Sequence, residues 1–495
     1  MKDYILVLDS GTTGVKSLLY DRDLNLVSIA VRNVKSYYPG DRMVEQDPEE
    51  IYRLVVETAK EALAQKNAAP EDVACAAITT QRTSWLFWDG VTRRPLCNLI
   101  TWQDTRGVDY LQKHFVENET FNTYFPGVAP YLPSIYVPVA VVANKEIIPG
   151  FTEALAGENV KWGNVDTWLL YRLTGGKVYA TSASAASNST MLDNPSGQWS
   201  KYIAQFVGMR EDMFPEVRDE NAGYGNISAD VFGAEIPVCC MIADQQAAMF
   251  AQGCFSPTVA KCTSGSGTFV NVNIGSEYKT YGNFFTTIAW QLDGKITYMF
   301  EGNSYTAGSC LEWAQKQLEL YKDVERLNED AASVPDSNGV YFVPALGGMS
   351  GAPYLDPTAR ASFMGIGPGA NRRHFARAVL ESVAYAAVGV IQTFKDLGVD
   401  IRKLSVSGGV SSSDLSVQIM SNILDMDIER SESVEATGYG AAALSAVTLG
   451  WRTFEDCAAG MPAKDVFKPA PDSGKDKEHF AMWKKAVERS LRWLE

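Results

Sequence analysis

Apolar and polar positions along the chain alternate between short strand-like runs and stretches of helical spacing. Residues 4–8 form an apolar run ending at Asp9, and residues 15–20 form another; between them lies Ser10-Gly11-Thr12-Thr13-Gly14. The pattern predicts a β-hairpin whose turn is rich in glycine and hydroxyl groups. Within residues 49–65, Ile51, Leu54, Val55, Ala59 and Leu63 recur at helical spacing, while residues 73–80 and 95–101 read as strands. Past the midpoint the first unit has a counterpart. Residues 258–262 lead through Thr263-Ser264-Gly265-Ser266-Gly267-Thr268 into a strand over residues 269–274. The pattern then predicts a strand at 340–344, a long helix at 374–394 and a strand at 404–407 closed by Gly408-Gly409. Helices follow at 413–424 and, opened by Thr437-Gly438-Tyr439-Gly440, up to residue 449. Alternating strands and helices argue for an α/β class.

Two hairpins with similar turns, one near the start of each half, suggest duplicated domains. The boundary is expected near 246–258, giving residues 1–250 and 251–495, with Gly253-Cys254-Phe255-Ser256-Pro257 carrying linker chemistry. Composition agrees: 495 residues, 46% hydrophobic and 21% charged, hold two or three globular domains at roughly 150 residues each.

Charge narrows the partners. Lys+Arg 44 against Asp+Glu 59 gives a net charge of −15, and no basic run offers a face for nucleic acid. The longest uncharged stretch, residues 120–144, is broken by Pro126, Pro130, Pro133 and Pro138, which argues against a membrane span. Met1-Lys2-Asp3 runs into an apolar segment too short for a signal peptide. Eight cysteines without a Cys-x-x-Cys pair are expected to be reduced thiols in a cytoplasmic protein. The three histidines, His114, His374 and His479, argue against a Ser/His/Asp triad or a His-rich metal site, so general-base chemistry falls to a carboxylate.

Turns of glycine and hydroxyl residues can aim backbone N–H groups and hydroxyls at an anion, and a facing pair would suit a nucleoside triphosphate. Such turns also serve simply as strand connections. Asp9, at a strand end before the first turn, can hold Mg²⁺ beside phosphates. The common nucleotide motifs are missing: Gly175-Gly176-Lys177 is followed by Val178 and reads as a hairpin turn, and Gly365-Ile366-Gly367-Pro368-Gly369 reads as a loop. Asp244 follows the apolar run 236–243 and precedes Gln245-Gln246. It is the leading general-base candidate, and the same position suits a helix N-cap.

These residues resemble the FGGY carbohydrate kinases along nearly the whole chain. The resemblance rests on Asp9-Ser10-Gly11-Thr12-Thr13, Val44-Glu45-Gln46-Asp47-Pro48, Trp102-Gln103-Asp104, Val165-Asp166-Thr167-Trp168-Leu169, Asp244-Gln245-Gln246 and Gly351-Ala352-Pro353-Tyr354. It continues through residues 361–381, with Gly365, His374, Ala378 and Glu381 in place. It implies two actin-like, ribonuclease-H-like domains flanking a deep cleft, and ATP-dependent phosphorylation of a small polyol or sugar, with glycerol favoured. On that likeness Asp9 positions Mg²⁺, and Asp244 is the catalytic base. Thr12, Thr13, Lys16, Ser266, Gly267, Gly308, Glu312, Gly409 and Ser413 meet ATP. Arg82, Thr83, Trp102, Tyr131, Asp244, Gln245 and Phe269 surround the acceptor. A homodimer is implied as well.

Three positions depart from the glycerol-phosphorylating members: Thr83 stands where an acidic residue is expected, the Lys-x-x-Trp element after Tyr131 is absent, and Lys16 replaces an arginine. The first two leave a kinase for another polyol or ketose, such as erythritol or xylulose, as an alternative. An actin-like ATPase without a metabolite substrate would share the hairpins but would have no use for Gln81-Arg82, Trp102-Gln103 and Asp244-Gln245. Intact Asp9, Asp244 and turns give no motive for a non-catalytic sensor.

Overall fold

The computed structural model describes residues 2–111, 113–114, 137–280, 284–304, 306–351, 353–356, 358–431 and 435–494. The chain adopts the two-domain actin-like fold, built on two sheets. The first takes its six strands from β1 (Tyr4–Ser10), β2 (Gly14–Tyr20), β3 (Leu26–Asn33), β4 (Val73–Thr80), β5 (Asn226–Ile227) and β6 (Ile236–Ala243), in the order β5-β6-β4-β1-β2-β3. The second comprises β7 (Val259–Ser264), β8 (Thr268–Gly275), β9 (Phe285–Leu292), β10 (Lys295–Ser304), β11 (Lys403–Ser407), β12 (Ile428–Ser431) and β13 (Ala463–Phe467). Its order is β9-β10-β8-β7-β11-β12-β13. Each sheet repeats one device: a hairpin whose first strand also pairs in parallel with a later strand, β1 with β4 and β7 with β11.

Helix α1 (Pro48–Lys66) covers the first sheet, and Asp47 caps it by accepting from the Glu49 N–H at 2.9 Å. The buried strand β6 delivers α2 (Asp244–Ala251) directly. In the second half, α3 (Arg372–Asp396) is long and apolar enough to cross a membrane but lies in the core beneath the second sheet. After it come α4 (Asp414–Leu424) and α5 (Ala436–Thr448). Of the uncharged stretch, residues 120–136 lie outside the described residues, and the remainder enters the helix Val137–Ile147.

Helix α5 binds the two halves together. Its small residues Ala441, Ala442 and Ala443 share one buried cluster with Ile5, Val7 and Leu18 of the first sheet and Met299 of the second. Small side chains let backbones approach closely. A Cβ on Gly440 would sit 1.8 Å from the carbonyl oxygen of Ala247 in α2.

Several expectations are corrected. Cys75 and Cys239 are bonded to each other, leaving six free cysteines rather than eight. The cause is register: β4 and β6 run parallel with a bulge between Val238 and Cys240, which brings Cys239 beside Cys75 at a Cα separation of 6.0 Å. Gly175-Gly176 closes the helix Val165–Leu173 instead of joining two strands. Only Leu99–Ile100 of residues 95–101 is strand. Asp244 occupies the first helical position, with Ala243 at the cap.

Gly440→Ala should therefore force α5 away from α2, at a cost of about 2–4 kcal/mol. The check is a lowered calorimetric melting midpoint; unchanged melting would refute the tight crossing.

Candidate active site

The first turn is tied down from two sides. Within it the Gly11 N–H donates to Gly14 O at 3.0 Å. Gln46 Nε2 donates to the Thr12 carbonyl at 2.7 Å, and Trp102 Nε1 to the Thr12 hydroxyl at 2.8 Å. Gln81 Nε2 in turn donates to Gln46 Oε1 at 2.9 Å. Thr13 is exposed at the tip. Asp9 and Lys16 face one another across β1 and β2, and Lys16 Nζ reaches Glu435 Oε2 at 2.6 Å, just before α5.

The second turn packs against the helix Gly308–Lys316. Ala307 and Ser309 N–H groups donate to Ser266 O at 3.0 and 3.1 Å, and the Gly308 N–H to Gly265 O at 2.9 Å. A Cβ on Gly308 would stand 2.5 Å from that Gly265 oxygen, so only glycine fits. Ser266 and Gly409 are exposed and Gly267 is buried. Ser413 caps α4 by accepting from the Ser416 N–H, and Glu312 pairs on the exposed helix face with Lys316.

Between the turns lies a charged cluster. Asp244, with its side chain 24% exposed, is 3.4 Å from Arg82 Nε. Arg82 grips Glu301 with both terminal nitrogens, at 2.9 and 2.7 Å, and donates to Asn188 Oδ1 at 3.0 Å. Asn271 Nδ2 donates to Glu301 at 2.7 Å. Thr83 donates its hydroxyl to Asn188 O at 3.1 Å and holds φ at 57°, a left-handed conformation uncommon for a β-branched residue. Gln245 accepts from Lys261 through Oε1. Trp102 and Phe269 meet edge to face, with ring centroids 6.4 Å apart. The structure thus brings Arg82, Asp244 and Gln245 together and pairs Trp102 with Phe269, while Tyr131 lies outside the described residues.

Glu301, Lys261, Asn188 and Glu435 were not singled out by the sequence pattern. Two left a signal: Lys261 is a lone charge in a strand-like run, and Glu301 closes the apolar run Tyr298-Met299-Phe300.

Burial pushes the Asp9 carboxyl up to about 7; Lys16 opposes this, while Asp244 and Glu435 add to it. Burial also raises Asp244, opposed by Arg82, the Gln245 N–H and Lys261. Against the burial that would raise it, Arg82 holds Glu301 below the usual carboxylate range. Asp9 is thus a buried oxygen donor with carboxylate neighbours and one nearby lysine, which fits a hard divalent cation. Among the described residues no three His, Cys, Asp or Glu side chains form a metal cage. A cation here would be shared with phosphate oxygens, as Mg²⁺ commonly is.

Residues 4–251 match the model of the FGGY family of carbohydrate kinases, N-terminal domain, and residues 260–449 its C-terminal domain. The chain is 34% identical to the glycerol kinase of Thermoanaerobacter sp. (strain X514), covering 100% of both chains. It is 35% identical to that of Carboxydothermus hydrogenoformans, covering 99% of each. The crystal structure of Plasmodium falciparum glycerol kinase with ADP superposes with a TM-score of 0.88 at 28% identity, covering 99% of this chain and 98% of that one. A ligand-bound xylulose kinase from Lactobacillus acidophilus, 19% identical with 98% of each chain covered, shares the fold at a TM-score of 0.86.

Because the unfolded chain ionises Asp9 near 3.8 and the folded chain only near 7, the protonated group stabilises the fold at low pH. That contribution is lost as pH rises from about 4 to 7. Without nucleotide or divalent cations, Asp9→Asn should be more stable than the wild type at about pH 8, by on the order of 4 kcal/mol, and converge with it near pH 4. Thermal melts across that range check this; an offset independent of pH would exclude Asp9 as the titrating group.

Proposed function

The chain belongs to the FGGY family of carbohydrate kinases, and we propose that it transfers the γ-phosphoryl group of ATP to a hydroxyl of glycerol. It is an ATP-dependent phosphotransferase for a polyol or sugar. The observation that carries the reading is Asp244, a cleft carboxylate beside Arg82 and Gln245 and between two hydroxyl-rich turns. Full-length similarity to glycerol kinases supports the substrate.

Phosphoryl transfer needs positioning and charge neutralisation more than covalent help. Arg82 and Gln245 hold the acceptor hydroxyls, while Trp102 and Phe269 cover its carbon chain. Asp244 orients the attacking hydroxyl and takes its proton as the new O–P bond forms and the bond from Pγ to the β–γ bridging oxygen breaks, releasing ADP. Thr12, Thr13 and Lys16 meet the phosphates from the first turn and Ser266 and Gly267 from the second. Gly308, Glu312, Gly409 and Ser413 border the nucleoside. Asp9 would hold Mg²⁺, which would neutralise charge on the transferring phosphoryl. Residues 1–250 and 251–495 act as two domains that close over the substrates and exclude water. The same reading takes the protein to be cytoplasmic and homodimeric.

A second acceptor is favoured by one position. Thr83 has no charge and spends its hydroxyl proton on Asn188, so a longer polyol or a ketose such as erythritol or xylulose can compete.

An ADP-release assay with Mg-ATP against glycerol, erythritol, ribitol, xylulose, ribulose and gluconate tests the assignment. Saturable turnover on glycerol is expected, and turnover on a longer acceptor alone would transfer the activity there. Asp244→Asn should lower kcat by about 10²–10⁴ with ATP affinity nearly unchanged; full activity would remove Asp244 from the chemistry.

A further inference from the structure

Lys261 is fully buried, yet neither the acceptor nor the nucleotide reading uses it. It rises from β7 in the second sheet, three residues before the Ser264 end of that strand. Its ammonium group donates to Gln245 Oε1 of α2, and to Thr263 Oγ1 at 3.1 Å. A buried lysine is costly unless its surroundings need its charge. The groups facing it are those of the acceptor site: Glu301 from β10, Asp244 from α2 and Arg82 from the segment after β4. Cys254 also faces it, and like Cys262 on its own strand is held neutral by burial, at about 12 and about 11.

We propose that Lys261 is a positioning residue for phosphoryl transfer, acting through Gln245 and Asp244. An ammonium group can only donate, so the Gln245 atom it meets must be the amide oxygen. This fixes the orientation of that amide and leaves both of its N–H donors for acceptor oxygens. The same buried charge helps keep Asp244 ionised, as a proton acceptor must be. Lys261 belongs to the second sheet and Gln245 to the helix issuing from the first, so the acceptor donors are set only when both halves are in place.

Burial lowers the Lys261 ammonium to about 8. Above that pH the charge is lost, and with it the support for Asp244 and the anchoring of Gln245. Wild-type kcat/KM for glycerol should therefore fall on the alkaline side of about pH 8.

The inference rests on the kinase reading, and the test separates the two. Wild type, Lys261→Met and Lys261→Arg are compared by pH profiles of kcat/KM, using glycerol or whichever acceptor of the panel turns over. Lys261→Met should lose about 10²-fold in kcat/KM for the acceptor, with its acid limb moved to higher pH and its KM for ATP within about twofold of wild type. Lys261→Arg cannot lose its proton in this range and should keep activity while the alkaline limb disappears. A wild type without an alkaline limb, an Arg variant that retains the limb, or a Met variant matching wild type would each overturn the role of Lys261 alone. If the Met variant fails to fold, the Arg profile decides. A wild type inert on every acceptor would overturn the kinase reading itself.

Discussion

The close crossing of α5 over α2 is the contact on which the rest of this structure depends. Gly440 lies directly on the Ala247 carbonyl, where any side chain would collide. Helix α2 begins with Asp244 and Gln245, and Glu435 stands immediately before α5, so this packing fixes the distance between Asp244 and the partner of Lys16. Close-packed interiors transmit such constraints with little give. Alanines 441–443 continue the contact onto β1 and β2, so a helix from the second half of the sequence is core to the first sheet.

Electrostatics depends on that packing. Arg82 and Lys261 oppose Asp244 and Glu301 in a pocket largely closed to water, two cations against two anions. Removing any one would leave an uncompensated buried charge. The arrangement also divides labour. Arg82, gripped at both terminal nitrogens, holds Glu301 below the usual carboxylate range, whereas Asp244, met by the Arg82 Nε at 3.4 Å and by the Gln245 backbone N–H, keeps a raised affinity for protons. Carboxylates pushed apart in this way suit different tasks.

Features carried by consecutive residues were legible in the sequence. Both hairpins, the strand-end Asp9, and Asp244 after an apolar run need only local pattern, and the family motifs follow the same short segments. What escaped depends on which strands become neighbours. Glu301 meets Arg82 across 219 positions of sequence, and Lys16 meets Glu435 across 419, separations at which periodicity carries no signal. The Cys75–Cys239 pairing escaped for a related reason: it needs both the parallel alignment of β4 and β6 and the bulge that shifts their register. The hairpin expected at Gly175-Gly176 is instead a helix end, because glycines ending a helix and glycines turning a hairpin look alike without their flanking elements.

The bond from the Trp102 indole to the Thr12 hydroxyl, reinforced by the relay from Gln81 through Gln46 to the Thr12 carbonyl, has a consequence for redesign. The side chains that would shape the acceptor pocket also brace the loop expected to receive phosphate. Evolution or an engineer altering the pocket at Trp102 would disturb both substrates of the reaction at once. Changes of acceptor preference should therefore arise first at positions outside this relay, such as Thr83, and reach Trp102 only with compensating changes around Thr12.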